Sequence, residues 1–304
     1  MRHSFYYSMR YIIPIFVVLT LVGCGGQKRT KTAESAANVA VELSPEQELS
    51  EVLKHYWDGF DFEDAEALKE LNREVVIYAL SEYVSLMPVE DADTRMRDLI
   101  RRASTSHDML DYFATVCEIV LHNPNSPLRN DEYYIPVLEE LVNSPLLDEY
   151  ERIAPAYDLE IALKNRIGRE ATDFVYTLED GSEGRLHDIK ANYTILMFSN
   201  PECPLCGEIM RQISSSQLLS ALMQHGVLEV LTLYPDEDID HWRKYLDNIP
   251  KEWIRAYDKG QILSKERLYN LSAIPALYLL DSKKRVLIKD GTSVADIEDL
   301  LLST

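Results

Sequence analysis

Two hydrophobic rhythms divide the chain. From residue 44 to about 165, apolar residues recur at three- and four-residue intervals, the period of a helix that buries one face. Ser44-Pro45-Glu46-Gln47 opens this stretch with a capping serine, a proline suited to the first helical position and a glutamine that completes a capping box. Leu49, Val52, Leu53, Tyr56, Trp57 and Phe60 then form one apolar stripe. Further helices are predicted near 73–86, 94–103, 107–121, 131–142 and 148–164, with Pro88, the 123–127 turn and Pro145 between several of them. Residues 44–165 therefore read as an all-helical domain.

Beyond about residue 170 the rhythm shortens. Strands are predicted at 174–178, 194–199, 227–234, 253–257, 276–280 and 285–289, and helices at 204–223, 238–246, 262–270 and 294–302. The last two strands, joined by a Ser-Lys-Lys turn, read as a hairpin. Such βα alternation ending in a hairpin predicts an α/β domain over 166–304, a mixed central sheet with helices on both faces.

The first 43 residues follow neither rhythm. Arg2, His3 and Arg10 precede an apolar run from Tyr11 to Leu21, which has the length of a secretory leader and is short for a membrane span. The run closes on Leu21-Val22-Gly23-Cys24, which resembles a bacterial lipobox. Residues 1–23 thus read as a lipoprotein signal peptide, and Cys24 as the lipid-attachment site that would hold the protein on a membrane. An ordinary secretory signal is the alternative. Residues 24–43 lack a sustained apolar period and read as a flexible tether. Either leader sends the chain to an oxidising compartment.

Charge narrows the partners. The chain of 304 residues carries a net charge of −20, and loss of the leader with its two arginines makes it more acidic. This excludes nucleic acid as a natural partner, and electrostatic adhesion to an anionic lipid surface with it.

Candidate chemistry is concentrated at Cys203-Pro204-Leu205-Cys206, between the predicted strand at 194–199 and the helix that follows. A cysteine at a helix start lies near unpaired backbone N–H groups and the positive end of the helix dipole, which favour a thiolate. The second cysteine, one turn later, can close a disulfide with the first, so the pair can cycle between dithiol and disulfide. A passive disulfide or half of a zinc site are the bland readings. Zinc needs about four ligands, and the chain has no second Cys-x-x-Cys and no ligand-like histidine spacing. Cys117 shares a helical face with Leu110 and Leu121 and reads as a buried, inert thiol.

With these parts in order, residues 170–304 resemble the thioredoxin superfamily, specifically the TlpA/ResA-like thiol–disulfide oxidoreductases of bacterial envelopes. The carrying residues are Asp173-Phe174 with Asp180-Gly181, the strand Ile195 to Phe198, Cys203 and Cys206, and Ala273-Ile274-Pro275. The resemblance implies a cis proline at Pro275 facing the dithiol, with Ile274 and Pro275 presenting backbone to an extended substrate. It implies no cofactor beyond a redox-active Cys203–Cys206 disulfide, and no metal. Its partners would be disulfide-bearing envelope proteins and an upstream thiol electron donor. Residues 44–165 more loosely resemble a helical domain of unknown function found before such domains in envelope lipoproteins, through Tyr56-Trp57, Phe60 to Phe62 and Asn123 to Asn130. Core packing is the competing reading of those aromatics.

Two departures stand out. The position six before the first cysteine, a buried acid in many thioredoxins, is Met197, and Glu208 is the nearest replacement. Glu202 stands where many relatives have tryptophan, and its charge opposes a neighbouring thiolate. A peroxiredoxin would need a Pro-x-x-x-Thr/Ser-x-x-Cys run, which Phe198 to Cys206 does not supply. The alternative from another class is a lipid-anchored binding protein in which the thioredoxin-like part is only a scaffold. The expected function is reduction of exported-protein disulfides from a periplasmic lipoprotein, with the outer membrane favoured because Gly25 is not a retaining aspartate. The helical domain is expected to fold separately and to add nothing to the chemical step.

Overall fold

A computed structural model describes residues 44–291 and 293–303. Residues 1–43, with the stretches read as signal peptide and tether and with Cys24, lie outside the described residues.

Six α-helices come first: α1 (Pro45–His55), α2 (Arg73–Leu86), α3 (Ala92–Ala103), α4 (His107–Leu121), α5 (Asp131–Asn143) and α6 (Ile153–Ala162). Side-chain caps start four of them. Ser44 and Gln47 form the reciprocal capping box on α1, and Asn72, Ser106 and Asn130 cap α2, α4 and α5. The aromatic stripe seen in the sequence packs inward. Trp57 lies 5.7 Å from Phe113 ring to ring, and Phe60 and Phe62 close on the same phenylalanine. Packing accounts for these aromatics, and Cys117 is buried in the same core.

Seven strands follow: β1 (Val175–Leu178), β2 (Glu183–Arg185), β3 (Tyr193–Phe198), β4 (Leu228–Tyr234), β5 (Ile254–Tyr257), β6 (Ala276–Asp281) and β7 (Val286–Gly291). They form one mixed sheet in the order β2-β1-β5-β4-β3-β6-β7. Strands β3, β4 and β5 run parallel, and the flanking pairs are antiparallel. Five helices accompany them: α7 (Pro204–Ser215), α8 (Gln217–Gln224), α9 (Ile239–Tyr245), α10 (Ile262–Lys265) and α11 (Val294–Ser303).

Alternation along β3 separates the two cores. Ile195 and Met197 pack with residues of α7, α8, α9 and α11, while Leu196 and Phe198 pack beneath α10 and the segments around Leu186 and Tyr269. The mixed sheet with helices on both faces is as the sequence predicts, with the second face covered more lightly.

Three local differences have physical causes. The helix expected over 204–223 breaks at Ser216, whose extended backbone ends α7 and whose hydroxyl caps α8 by accepting from the Leu219 N–H. The helix expected over 262–270 stops at Lys265, because Arg267 takes a left-handed φ of 51°. Strand β2, Glu-Gly-Arg, has no apolar alternation, and its pairing with β1 defines it. Gly184 suits it: a Cβ there would stand 2.5 Å from the Tyr176 ring.

Charged groups join the helical part to the sheet. The Lys289 ammonium on β7 lies 2.6 Å from the Asp131 carboxylate at the start of α5, both side chains under a tenth exposed. Arg129 pairs with Asp290 at 3.4 Å, and the Tyr278 hydroxyl donates to Asp290 at 2.5 Å. Arg166 pairs with Glu132, and the Asn165 side-chain amide donates to the Leu268 carbonyl.

Candidate active site

A short turn converts the end of β3 into the start of α7. The Asn200 carboxamide accepts from the Glu202 N–H at 3.1 Å and donates to Asp236 at 2.8 Å. The Asn200 carbonyl accepts from the Cys203 N–H at 3.1 Å. Cys203 is thereby set at the N-cap of α7, with Pro204 at the first helical position.

Both cysteines carry free thiols. The Cys203 sulfur is half-buried and accepts from the Cys206 N–H at 3.1 Å, one of the orphan donors of the helix start. Cys206, one turn on, is buried. Burial pushes its thiol up to about 12, and the hydrogen bond with Cys203 raises it as well. One sulfur is presented and the other stored. Cys117 is a third thiol, fully buried in the helical core, and burial alone pushes it up to about 12.

Opposite the pair, the Ile274–Pro275 peptide bond is cis. The Ile274 carbonyl accepts from the Cys203 thiol at 3.7 Å. Cys203, Cys206 and the Ile274–Pro275 loop thus converge on one spot at the carboxyl ends of the parallel strands, where open α/β sheets place their sites. Glu202 turns away toward the His241 imidazole at 3.6 Å, and Glu208 is exposed and paired with Arg211. Neither departs from the solvent side of the site.

A groove of about 980 Å³ opens beside the cysteines between α7 and α9. Met210, Trp242, Tyr245 and Ile249 give it apolar walls next to Cys203 and Cys206. Sequence reasoning did not single out this wall. Its signal was positional, a helix with a tryptophan and a tyrosine directly after the strand neighbouring β3. Among the described residues, no three or more His, Cys, Asp or Glu side chains cluster as metal ligands.

The whole described architecture has a solved counterpart. A thioredoxin-like protein from Bacteroides caccae is 38% identical and superimposes with a TM-score of 0.82, over 90% of this chain and 99% of that one. The chain belongs to the thioredoxin-like family. Its enzymatic class is that of the thioredoxin-like thiol–disulfide oxidoreductases, and its general function is redox chemistry. Within the family, the thiol-disulfide oxidoreductase ResA of Bacillus thuringiensis (strain Al Hakam) is 28% identical over 134 residues, 44% of this chain and 70% of that protein, and ResA of Bacillus anthracis matches equally. Residues 30–165 match a domain of unknown function, DUF5106.

Proposed function

We propose that this chain is an envelope thiol–disulfide oxidoreductase that reduces disulfides of exported proteins through Cys203 and Cys206. The observation that carries the reading is the division of labour between the sulfurs: Cys203 is accessible at the helix start and faces the Ile274 carbonyl, while Cys206 is buried one turn behind it. Cys203 attacks a substrate disulfide and forms a mixed disulfide, releasing one substrate thiol. Cys206 then attacks Cys203, closing the internal disulfide and releasing the second. Ile274 and Pro275 offer backbone to the substrate, and the groove walled by Trp242 and Tyr245 receives an adjoining apolar side chain. No metal or further cofactor enters this cycle.

Electron flow toward substrate follows from what surrounds the dithiol. Pro204 and Leu205 add neither a donor nor a positive charge between the cysteines, and Glu202 adds a negative one next door. A dithiol without special stabilisation is the better reductant, so the potential is expected near that of thioredoxin, about −270 mV, rather than that of a strong oxidant, about −120 mV. An upstream thiol donor must then recharge it. Lipid on Cys24 would anchor the chain to a membrane, the outer one from its periplasmic side. No described helix is long and apolar enough to cross a membrane.

Insulin reduction by the full chain tests the reading. Cys203→Ser is expected to abolish it, and Cys206→Ser to accumulate mixed disulfides with envelope proteins. Trapping by Cys203→Ser would reverse the assignment. Full activity without Cys203, or none in the unaltered protein, would favour a binding protein on a thioredoxin-like scaffold. Solubility of a Cys24→Ser chain where the unaltered protein sediments with membranes checks the anchor.

A further inference from the structure

A substrate that brings its disulfide to Cys203 must lay the residues beside that disulfide along the groove. The groove meets them with two different surfaces. Its walls next to the cysteines are apolar, built from Met210, Trp242, Tyr245 and Ile249. Its rim on the Cys203 side is acidic.

Four carboxylates form that rim. Glu202 lines the groove directly before Cys203, with a side chain 74% exposed. Asp236, Glu237 and Asp238 follow β4 in succession, all exposed. Two bonds fix this acidic run beside the cysteine turn. The Ser199 and Thr232 hydroxyls bond each other at 2.9 Å, joining the end of β3 to β4. The Asn200 carboxamide donates to the Asp236 carboxylate at 2.8 Å. Ser199 and Asn200 both line the groove. Asp238 then caps α9 by accepting from the His241 N–H at 3.0 Å, so the run leads straight into the helix that carries Trp242 and Tyr245. The convergence of these acids registers at one phenol. Tyr234 is held above its ordinary pKa by burial first, and then by Asp236, Asp238 and Glu202.

Nearby cations do not balance the rim. Arg211 on α7 is bound to Glu208, and Arg243 on α9 to Asp240. Neither Lys244 nor Lys251 lines the groove. Even a charged His241, 3.6 Å from Glu202, would offset only one of the four carboxylates. A negative charge beside Cys203 opposes its thiolate, so the rim does nothing for the chemical step. Its effect falls on whatever approaches. Charge at the edge of a binding surface steers encounter and suppresses partners of like sign, more than it adds raw affinity.

We propose that the dithiol groove selects polypeptides whose disulfide is flanked by an apolar residue and by lysine or arginine, the apolar side chain lying against Trp242 and Tyr245 and the cations meeting the rim of Glu202, Asp236, Glu237 and Asp238. The proposal rests on the reading of Cys203 as the thiol that meets substrate.

The test uses the reduced full chain and two synthetic peptides. They share one disulfide-closed ring with a leucine beside it, and are flanked by lysines in one case and by glutamates in the other. Each rate is divided by that of dithiothreitol with the same peptide, which removes differences in the disulfide itself. At low salt the unaltered protein is expected to reduce the lysine peptide with a kcat/KM about tenfold or more above that of the glutamate peptide. This ratio should fall toward one in about 1 M salt, where charges are screened within about 3 Å. Glu202→Gln, Asp236→Asn, Glu237→Gln and Asp238→Asn together keep the hydrogen-bond acceptors and should bring the low-salt ratio close to one. Glu202→Gln alone should lower it about two- to threefold, and decides the matter should the combined variant fail to fold. Taking the ratio also cancels any change in the Cys203 thiol. A control chain neutralised at Glu63, Glu70, Glu90 and Glu149, exposed acids of the helical part, should keep the ratio. A ratio near one in the unaltered protein, a ratio indifferent to salt, or an equal fall in the control would overturn the proposal, the last because the net charge of −20 alone would then account for it. Reduction of insulin but of neither peptide would overturn it too. Reduction of neither the peptides nor insulin would overturn instead the reading of the dithiol as a reductant.

Discussion

At the scale of single residues, the three described thiols differ by environment, and reactivity should follow. Cys203 is half-exposed at a helix start, whereas Cys206 and Cys117 are buried and held protonated by burial. Alkylation of the native reduced protein with iodoacetamide at pH 7.5 is expected to modify Cys203 at least about tenfold faster than either other thiol. Mass spectrometry of timed samples checks this, and early labelling of Cys117 would mean that the helical core opens readily. Gly184 is a second such position. An added Cβ would meet the buried Tyr176 ring at 2.5 Å, so Gly184→Ala should cost about 1–3 kcal/mol in urea unfolding as the ring is displaced. The cysteine pair, its helix-start position and the proline opposite could be read directly from the sequence, because a motif of that kind is local. The inward face of the groove could not. Trp242 and Tyr245 reach the dithiol only because β4 lies beside β3, and the Ser199–Thr232 contact spans 33 residues.

Elements were legible where they carry their own signals, and lost where a neighbour defines them. Helices α2, α4 and α5 lie close to their expected ranges because an apolar period and a capping asparagine or serine coincide. Strand β2 exists through its partner β1, and the break between α7 and α8 turns on a single hydroxyl. Tertiary pairing also shapes the start of α4. His107 there bonds Glu151 in the turn before α6, at 2.7 Å. The Glu151 bond raises the His107 pKa, and the Asp148 N–H together with His107 lowers that of Glu151. A raised histidine stabilises the fold fully below its unfolded value of about 6.5 and loses that contribution as pH rises through the folded value. A lowered glutamate contributes fully above about 4.3 and loses its share as pH falls through the folded value. Both contributions coexist only between those limits. The melting temperature of the unaltered protein should exceed that of His107→Ala most near pH 5.5, and the gap should close by pH 8.5 and narrow in 1 M salt. A gap that stays constant from pH 5 to 9 would show that the ring contributes by packing and not by charge.

For the whole molecule, the question is what the helical part does for the thioredoxin-like part. Residues 199–250 line the groove, and the cis proline lies at 275, so none of the helical part reaches the site of chemistry. Its grip falls on the far edge of the sheet, where Asp131 and Arg129 meet Lys289 and Asp290 on β7, and on the segment after α10, where Glu160 pairs with Arg267 at 2.6 Å and Asn165 donates to the Leu268 carbonyl. From Asp290 the contacts continue through the Tyr278 hydroxyl to the Phe198 and Tyr269 rings, which support the end of β3 and the approach to the Pro275 loop. The sequence offered no sign of this, because Asp131–Lys289 joins residues 158 positions apart that each look like ordinary surface charge. A buried ion pair that loses one partner leaves the other charge stranded, at a cost of about 3–5 kcal/mol, whereas removing both can be nearly neutral. Lys289→Met, which also takes the donor from the Ala162 and Lys164 carbonyls, should therefore lower the stability of the full chain by about 3 kcal/mol, and Asp131→Leu combined with Lys289→Met should recover the share owed to the stranded carboxylate. Chemical denaturation of the single and double variants decides this, and equal loss in both would mean that shape, not charge, holds the edge. A truncated chain of residues 166–304 loses the bonds that Asp131, Arg129 and the Ala162 and Lys164 carbonyls make to Lys289 and Asp290, and opens that edge of the sheet to water. It should unfold at a lower denaturant concentration than the full chain, yet keep most of its insulin-reducing rate per folded molecule. Loss of that rate in a truncated chain still folded by circular dichroism would show that the contacts running from β7 through Tyr278 to Phe198 set the geometry of the dithiol.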